Sequence, residues 1–226
     1  MFPVPAASGQ GATVTAGGVI VLVSGATAVV REHPHVGVLV VPGAGNHPEH
    51  VKGRTWAMDN GAFTGLDVPG FLRMLRAYQP YQGTHGYQAC QFVTAPDTVA
   101  NAAATLEQFA DWEPLIHQWG WPVAFVGQDG LHLADVPWHS SEAVFLGGST
   151  EWKLSRSARD FAAYGRARGK WVHMGRVNSQ SRLRYAIRIG CHSVDGSSFS
   201  RWSRAYIPGI ADTVRRYAGG PLIEHL

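Results

Sequence analysis

The segment CHSVDGSSF, residues 191–199, ends a short strand-like run in an aspartate and follows it with small residues. A strand holds the side chain at its end in a fixed direction, whereas Gly and Ser leave the following backbone adaptable. We therefore interpret Asp195 as a nucleophile aimed into a cleft. An aspartate before a glycine is more often a simple turn residue, so this interpretation depends on the partners that the rest of the chain supplies.

Short apolar runs recur along the chain and alternate with segments of helical periodicity. Strand–helix–strand units of this kind form right-handed connections within a parallel sheet. About seven such strands in 226 residues favour a compact TIM-like (β/α) barrel, of the α/β class, over an open doubly wound sheet. An eighth strand is not evident. The predicted strands are 36–41, 55–58, 89–94, 122–126, 143–146, 171–174 and 191–194, and the predicted helices are 68–78, 98–118 (capped by Asp97), 155–168, 179–189 and 208–217.

The start of the chain differs from this pattern. Residues 1–18 are rich in Gly, Ala and Ser and are predicted to be flexible, and residues 19–226 are predicted to form a single domain. Within it, residues 19–24 and 26–30 are predicted to form an N-terminal β-hairpin that turns at Gly25. We expect no signal peptide and no membrane span, and a cytoplasmic location, because the chain has no long apolar run and its two cysteines lack disulfide or zinc spacing.

Charge is distributed unevenly along the sequence. Residues 1–150 contain 5 basic and 11 acidic residues, whereas residues 151–226 contain 14 basic and 5 acidic residues. A basic third of this kind is a candidate surface for phosphates of a nucleic acid. Solvated arginines on the outside of two or three helices explain it equally well.

Polar and glycine residues collect where the predicted strands end. In a parallel barrel all strand ends lie at one face, the C-terminal mouth, where barrel active sites are built. Two carboxylates across a cleft suit substitution at a sugar carbon, and a glutamine with glycines and an acid suits a flat heterocycle. Each residue alone could be a turn or a cap, but their convergence indicates an enzyme; they are Asp59, Asp97, Gln128, Gly147, Gly148, Gly175 and Asp195.

Six short motifs occur in a fixed order at these strand ends. In order and placement they resemble the tRNA-guanine transglycosylase superfamily, a family of (β/α)8 barrels, over about residues 36–204. The motifs are Asp-Asn-Gly-Ala-Phe at 59–63, Asp97, Val-Gly-Gln-Asp-Gly at 126–130, Leu-Gly-Gly at 146–148, His-Met-Gly at 173–175 and Val-Asp-Gly-Ser-Ser-Phe at 194–199.

The resemblance implies a role for each matching residue. Asp195 corresponds to the nucleophile that attacks C1′ and releases guanine, and Asp59 to the acid/base that handles the proton of the base. Asn60 stands where the family has a serine, and Met174 where a methionine stacks near the base. The remaining groups implied to recognise the purine edge are Asp97, Gln128, Gly147 and Gly148.

The chain also departs from the family pattern. The family's zinc site needs three closely spaced cysteines and a histidine after the nucleophile, and these are missing, so no zinc subdomain, metal or other cofactor is expected. This zinc-less form resembles the DpdA-type DNA transglycosylases, often encoded by phages and therefore acting in the host cytoplasm. They exchange guanine in DNA for a 7-deazaguanine such as preQ0. Arginines that would then hold phosphates are Arg176, Arg182, Arg201 and Arg204, with Phe63 or Trp202 able to stack on a base.

Other interpretations remain open at this stage. The same exchange could act on tRNA, water could replace the incoming base and make the protein a hydrolase, or the barrel could bind nucleic acid without catalysis. The resemblance is also compatible with a homodimer. The histidines at 33–35 and 47–50 have irregular loop spacing, which is more typical of unliganded residues than of a metal site.

Overall fold

Eight parallel strands close into a barrel in the order of the chain. The computed structural model describes residues 18–25, 36–201 and 209. Each strand pairs with the next, and the last pairs with the first, which confirms the predicted TIM-like barrel. The strands are β1 (Ile20–Val23), β2 (Val36–Val40), β3 (Trp56–Met58), β4 (Val93–Thr94), β5 (Val123–Gly127), β6 (Ala143–Leu146), β7 (Trp171–Met174) and β8 (Ser193–Asp195).

Helices cover the outside of this barrel. Side chains alternate along each strand, so every second residue points to the helices and the others point to the barrel axis. The outer positions join the larger buried cluster, whereas Leu22, Phe92 and Phe145 belong to a smaller cluster inside the barrel. The helices are α1 (Val68–Tyr78), α2 (Ala102–Gln118), α3 (Thr150–Leu154), α4 (Arg156–Ala167), α5 (Gln180–Arg188) and α6 (Ser197–Arg201).

The predicted N-terminal hairpin is wrong, because β1 is the missing eighth barrel strand. It pairs in parallel with β2 on one side and with β8 on the other, so neither edge is open to an antiparallel partner. An apolar run of this length is equally typical of a hairpin strand and of a buried parallel strand. Residues 26–30, the predicted second arm, lie outside the described residues, as do residues 1–17 and the predicted helix 208–217 except Gly209.

Several predicted boundaries also need correction. Helix α2 begins at Ala102 and not at residue 98, because the side chain of Asn101 accepts a hydrogen bond from the Ala104 amide and caps the helix. Asp97 is therefore not a helix cap. The predicted strand 89–94 is shorter than expected: β4 spans only Val93–Thr94, although Gln91 and Phe92 already form backbone hydrogen bonds with β3.

The predicted basic helix 155–168 corresponds to α4 and is preceded by a separate short helix, α3. Ser155 lies between them, and its side chain accepts a hydrogen bond from the Ala158 amide at the start of α4. Thr150 and Lys153 of α3 line the cavity at the C-terminal mouth of the barrel that is described below.

Candidate active site

The C-terminal mouth of the barrel contains two connected cavities. An outer cavity of about 500 Å³ opens between the strand ends and α3, and a recess of about 60 Å³ lies beside it. Four residues line both: Asp59, Phe63, Arg176 and Asp195. The structure therefore brings together the two carboxylates that were predicted to be catalytic. The recess is also lined by Asn60, Asp97, Gln128 and Gly147.

Asp195 is held from behind by a buried chain of hydrogen bonds. Its Oδ1 lies 2.9 Å from Nε2 of His173, and Nδ1 of that ring lies 2.8 Å from Oγ of Ser193. Trp171 Nε1 donates to the same hydroxyl at 2.7 Å. All groups are satisfied when the Ser193 hydroxyl donates to Nδ1 and Nε2–H donates to the carboxylate. His173 is fully buried, whereas the Asp195 side chain is 20% exposed, so the free carboxylate oxygen is left to the cavity.

The backbone after Asp195 is packed more closely than its small residues suggested. A Cβ on Gly196 would lie 2.5 Å from the carbonyl oxygen of Val177, so only glycine fits there. The Val177 amide in turn donates to the Asp195 carbonyl at 2.6 Å. The glycine thus allows the loop after β7 to lock the end of β8 in place.

His173 is accordingly a positioning residue for Asp195. We expect His173→Leu to lower kcat of the base exchange proposed below about 10- to 100-fold, with little change in KM. This factor is the cost of losing one hydrogen bond to a charged group. His173→Gln, which can still donate to the carboxylate, should recover most of the rate. Steady-state kinetics of both variants check this, and a KM effect without a kcat effect would contradict the assignment.

Asp59 is the carboxyl group with the most perturbed acidity in the cavity. Burial and the nearby charges of Asp195 and Asp97 together raise the pKa of Asp59 to about 7, against hydrogen bonds from the Asn60 and Gly61 amides. At neutral pH this carboxyl group is therefore divided between its acid and its base forms. Such a group is suited to giving and taking a proton within one reaction cycle.

Asp97 is held by two side-chain amides. Asn60 Nδ2 donates to its Oδ1 at 2.8 Å, and Gln128 Nε2 donates to its Oδ2 at 2.7 Å. Gln128 also accepts from the Ala100 amide at 2.9 Å, so both ends of its amide are engaged. Burial raises the pKa of Asp97, whereas these donors and the charge of Arg176 lower it. Asn60 and Gln128 thus orient Asp97. Because the amide groups of Asn60 and Gln128 are already engaged, the Asp97 carboxylate is the group available to bind a ligand.

The two glycines after β6 both accept hydrogen bonds from Arg176, and Gly147 lines the recess. The guanidinium of Arg176 donates to the carbonyl oxygens of Gly147 and Gly148 and lies over the ring of Phe63, 4.6 Å from its centroid. Arg176 has a left-handed backbone with φ of 58°, which is uncommon for a residue with a side chain. Phe63 is 64% exposed, so this stacking is its main cover.

Lys153 is a further residue of the cavity that the sequence did not indicate. Its side chain is 1% exposed, and its Nζ donates to the Gly175 carbonyl at 2.9 Å. Burial and the charges of Arg176 and Arg182 together lower its pKa to about 7, against the opposing charge of Asp195. A lysine in a five-residue stretch with apolar neighbours resembles any surface lysine in sequence. The one sequence feature that places Lys153 near the barrel mouth is its position five residues after Gly148, which follows the end of β6.

The remaining predicted residues lie elsewhere. Met174 is fully buried in the layer between strands and helices and does not line either cavity, because His173, the preceding residue, takes the inward position. The Arg201 side chain, Arg204, Trp202 and the histidines at 33–35 lie outside the described residues. His47 donates its amide to Nδ1 of His50, and no group of three or more potential metal ligands occurs in the described part of the chain.

Comparisons with known proteins extend only to the shape of the barrel. No protein-family model matches the chain, and no curated protein matches it. Among solved structures, it is similar to a dihydrodipicolinate synthase from Bacillus clausii (10% identity, 91% of this chain and 79% of that one, TM-score 0.49) and to a protein described as native KDPGal (10%, 88% and 90%, 0.47). It is also similar to the Bacillus subtilis YkuI protein, which has an EAL domain, at 12% identity and a TM-score of 0.43 over 83% of this chain, but the match spans only 45% of that protein.

At these identities and TM-scores, the solved structures do not bear on the activity of this chain. The barrel is established by the strand pairing itself. No helix within the described ranges is long and apolar enough to cross a bilayer. The chemistry of the mouth must therefore be argued from its own residues.

Proposed function

We propose that this protein exchanges guanine in DNA for a 7-deazaguanine base, preQ0 or a relative, through a covalent intermediate between Asp195 and the deoxyribose. The observation that supports this best is the pairing of Asp195, whose free oxygen faces the cavity, with Asp59, whose pKa is about 7. A nucleophilic carboxylate beside a carboxyl group that can change protonation state is the arrangement that two-step substitution at a sugar carbon requires.

In the first step, the target nucleotide enters the mouth flipped out of its stack or from a single strand. The free oxygen of Asp195 attacks C1′ as the bond from C1′ to the base nitrogen breaks. The departing guanine takes a proton from the acid form of Asp59. The products of this step are free guanine, an ionised Asp59 and an ester between Asp195 and C1′.

In the second step, the incoming deazaguanine gives its proton to Asp59, and its nitrogen attacks C1′. The ester bond breaks and the electron pair returns to Asp195. Asp59 is then protonated again, so the cycle has no net proton change. His173 donates to the other carboxylate oxygen throughout, which keeps the attacking oxygen directed at the cavity.

The contacts of Arg176 support a guanine-type base. Its planar guanidinium stacks on Phe63 and donates to the carbonyls of Gly147 and Gly148. Guanine and 7-deazaguanines resemble this group, because their 2-amino group and N1–H are donors in the plane of a flat ring that can stack on Phe63. Arg176 therefore occupies contacts that the base would make, and the base must displace it.

Removing the guanidinium should consequently strengthen binding of the free base. We expect Arg176→Asn to lower the Kd of a free 7-deazaguanine about 10-fold, because no charge-assisted hydrogen bonds must be broken first; asparagine tolerates the left-handed backbone. Calorimetry with the wild type and with Arg184→Asn, an exposed arginine of α5, checks this. Unchanged or weaker binding by Arg176→Asn would show that the base does not use these contacts.

The exchange itself is tested with a labelled 7-deazaguanine offered together with single-stranded DNA, duplex DNA or tRNA. We expect label in DNA and free guanine in equal amount. Label in tRNA alone would move the activity to RNA, and guanine release with abasic sites but no label would make the protein a hydrolase. No label and no guanine from any substrate would overturn the proposal.

A further inference from the structure

Lys153 is a buried amine that has no carboxylate partner among the described residues. Its one hydrogen bond there goes to the Gly175 carbonyl, although an ammonium group has three donors. Its side chain lines the outer cavity, and none of the ion pairs between described residues includes it. Burying an ammonium group without a carboxylate partner is costly, so its position calls for a reason.

Two arginines add to the same positive charge. The Arg182 guanidinium donates to Thr150 Oγ1 and to the Arg176 carbonyl, each at 3.4 Å, and both arginines line the outer cavity. Neither forms an ion pair with a carboxylate of the described residues. The charges of both arginines disfavour the charged form of Lys153, whereas those of Asp195 and Asp129 favour it. Like charges held together at a cavity wall are stabilised by an anion that binds there.

The cavity also has an acidic part, formed by Asp59 and Asp195 at the ends of β3 and β8. The cations come from α3, from the residue after Gly175 and from α5. A ligand that fits both parts carries an anionic group at one end and a neutral or developing positive centre at the other. A nucleotide has this form, since its phosphate is anionic and its C1′ becomes positive when the base leaves.

We infer that Lys153, Arg182 and Thr150 form a subsite for a phosphate group of the nucleotide whose sugar reacts with Asp195. Lys153 supplies two unused N–H donors, Arg182 a planar fork and Thr150 a hydroxyl group, which together suit the several oxygens of a phosphate. The outer cavity of about 500 Å³ falls within the range of sites that hold small molecules. The identity of the ligand as a nucleotide rests on the proposed function, whereas the anion site rests on the cations alone.

The subsite is tested by calorimetric binding of inorganic phosphate, deoxyguanosine, its 5′-monophosphate and a short single-stranded oligonucleotide. We expect Lys153→Met and Arg182→Gln each to raise the Kd of phosphate and of the monophosphate at least 10-fold, and to leave deoxyguanosine unchanged. Lys52→Met and Arg184→Gln are matched controls, because both residues are exposed and neither lines the cavity. Arg182 is only partly buried, so its variant provides the test if Lys153→Met does not fold.

Phosphate binding that is the same in both variants and the wild type would overturn the subsite, as would an equal loss of deoxyguanosine binding. A loss for phosphate and the monophosphate, but not for the oligonucleotide, places a free nucleotide there. An equal loss for the oligonucleotide places a strand phosphate there. Asp195→Asn should still bind phosphate. If phosphate binding depends on Lys153 and the wild type exchanges no base, the subsite stands and the proposed function fails. If the wild type exchanges base but phosphate binding does not depend on Lys153, the proposed function stands and the subsite fails.

Discussion

Asp195→Asn and Asp195→Ala should each lower base exchange by at least about 10³-fold, because no ester with C1′ can form without the carboxylate. Asparagine keeps an oxygen that can accept from His173, so the variant preserves the hydrogen-bond chain behind the site. The loss should therefore appear in kcat, with DNA binding and the melting temperature close to those of the wild type. The assay is incorporation of labelled 7-deazaguanine into DNA.

Asp160→Asn is a suitable control, since this aspartate lies on the outer helix α4 and pairs with Arg156. It should exchange base at the wild-type rate. Retention of more than a tenth of the activity by Asp195→Ala would exclude a covalent role for Asp195. The carboxylate would then act only by stabilising positive charge on the sugar.

Asp59→Asn should lower exchange about 10²- to 10⁴-fold, the usual contribution of a general acid/base, and should also remove the pH dependence. Guanine release needs the acid form of Asp59, whose pKa is about 7. The wild-type rate should therefore fall as the pH rises through about 7, while the variant's residual rate stays flat. A wild-type profile that is flat between pH 6 and 8, or a variant that keeps the same limb, would contradict the role of Asp59.

Although Asp59→Asn should lower the rate of exchange, it should raise the stability of the folded protein at alkaline pH. The pKa of Asp59 is raised in the folded protein above its ordinary value of 3.8, so folding favours the protonated form. The contribution of this group to stability is complete below about pH 4 and is lost as the pH rises to about 7. Asparagine cannot ionise, so Asp59→Asn should be more stable than the wild type at pH 8 by a free energy of unfolding on the order of 2–4 kcal/mol. Its melting temperature should therefore be several degrees higher at pH 8 and unchanged at pH 4.

The placement of residues at the mouth could be predicted where position depends on topology. Once parallel strands are assigned, their ends must meet at one mouth, so Asp59 and Asp195 could be placed together without knowing any packing. The order of the strands needed only the alternation of apolar runs and helices. The eighth strand, β1, was missed because its apolar run has no local feature that separates a hairpin from a closed barrel.

The prediction failed where a role depends on which neighbour a side chain meets. Asp97 and Asn101 are both good capping residues, and only packing decides that Asn101 caps α2 while Asp97 receives two amides. Met174 and His173 are adjacent in a strand that is buried on both faces, so polarity does not reveal which of them points inward. Lys153 is a similar case, because nothing in its local sequence distinguishes it from a surface lysine, although it is buried.

The central claim is that Asp195 becomes covalently attached to the sugar, and trapping that ester tests it most directly. The protein is mixed with a guanine-containing oligonucleotide, quenched in denaturant, and analysed by mass spectrometry of the intact protein and of its peptides. We predict a protein–DNA adduct that maps to Asp195, lacks the guanine base, disappears on addition of excess 7-deazaguanine and does not form with Asp195→Ala. An adduct on another residue, or base exchange that proceeds with an unmodified Asp195 throughout, would contradict the account.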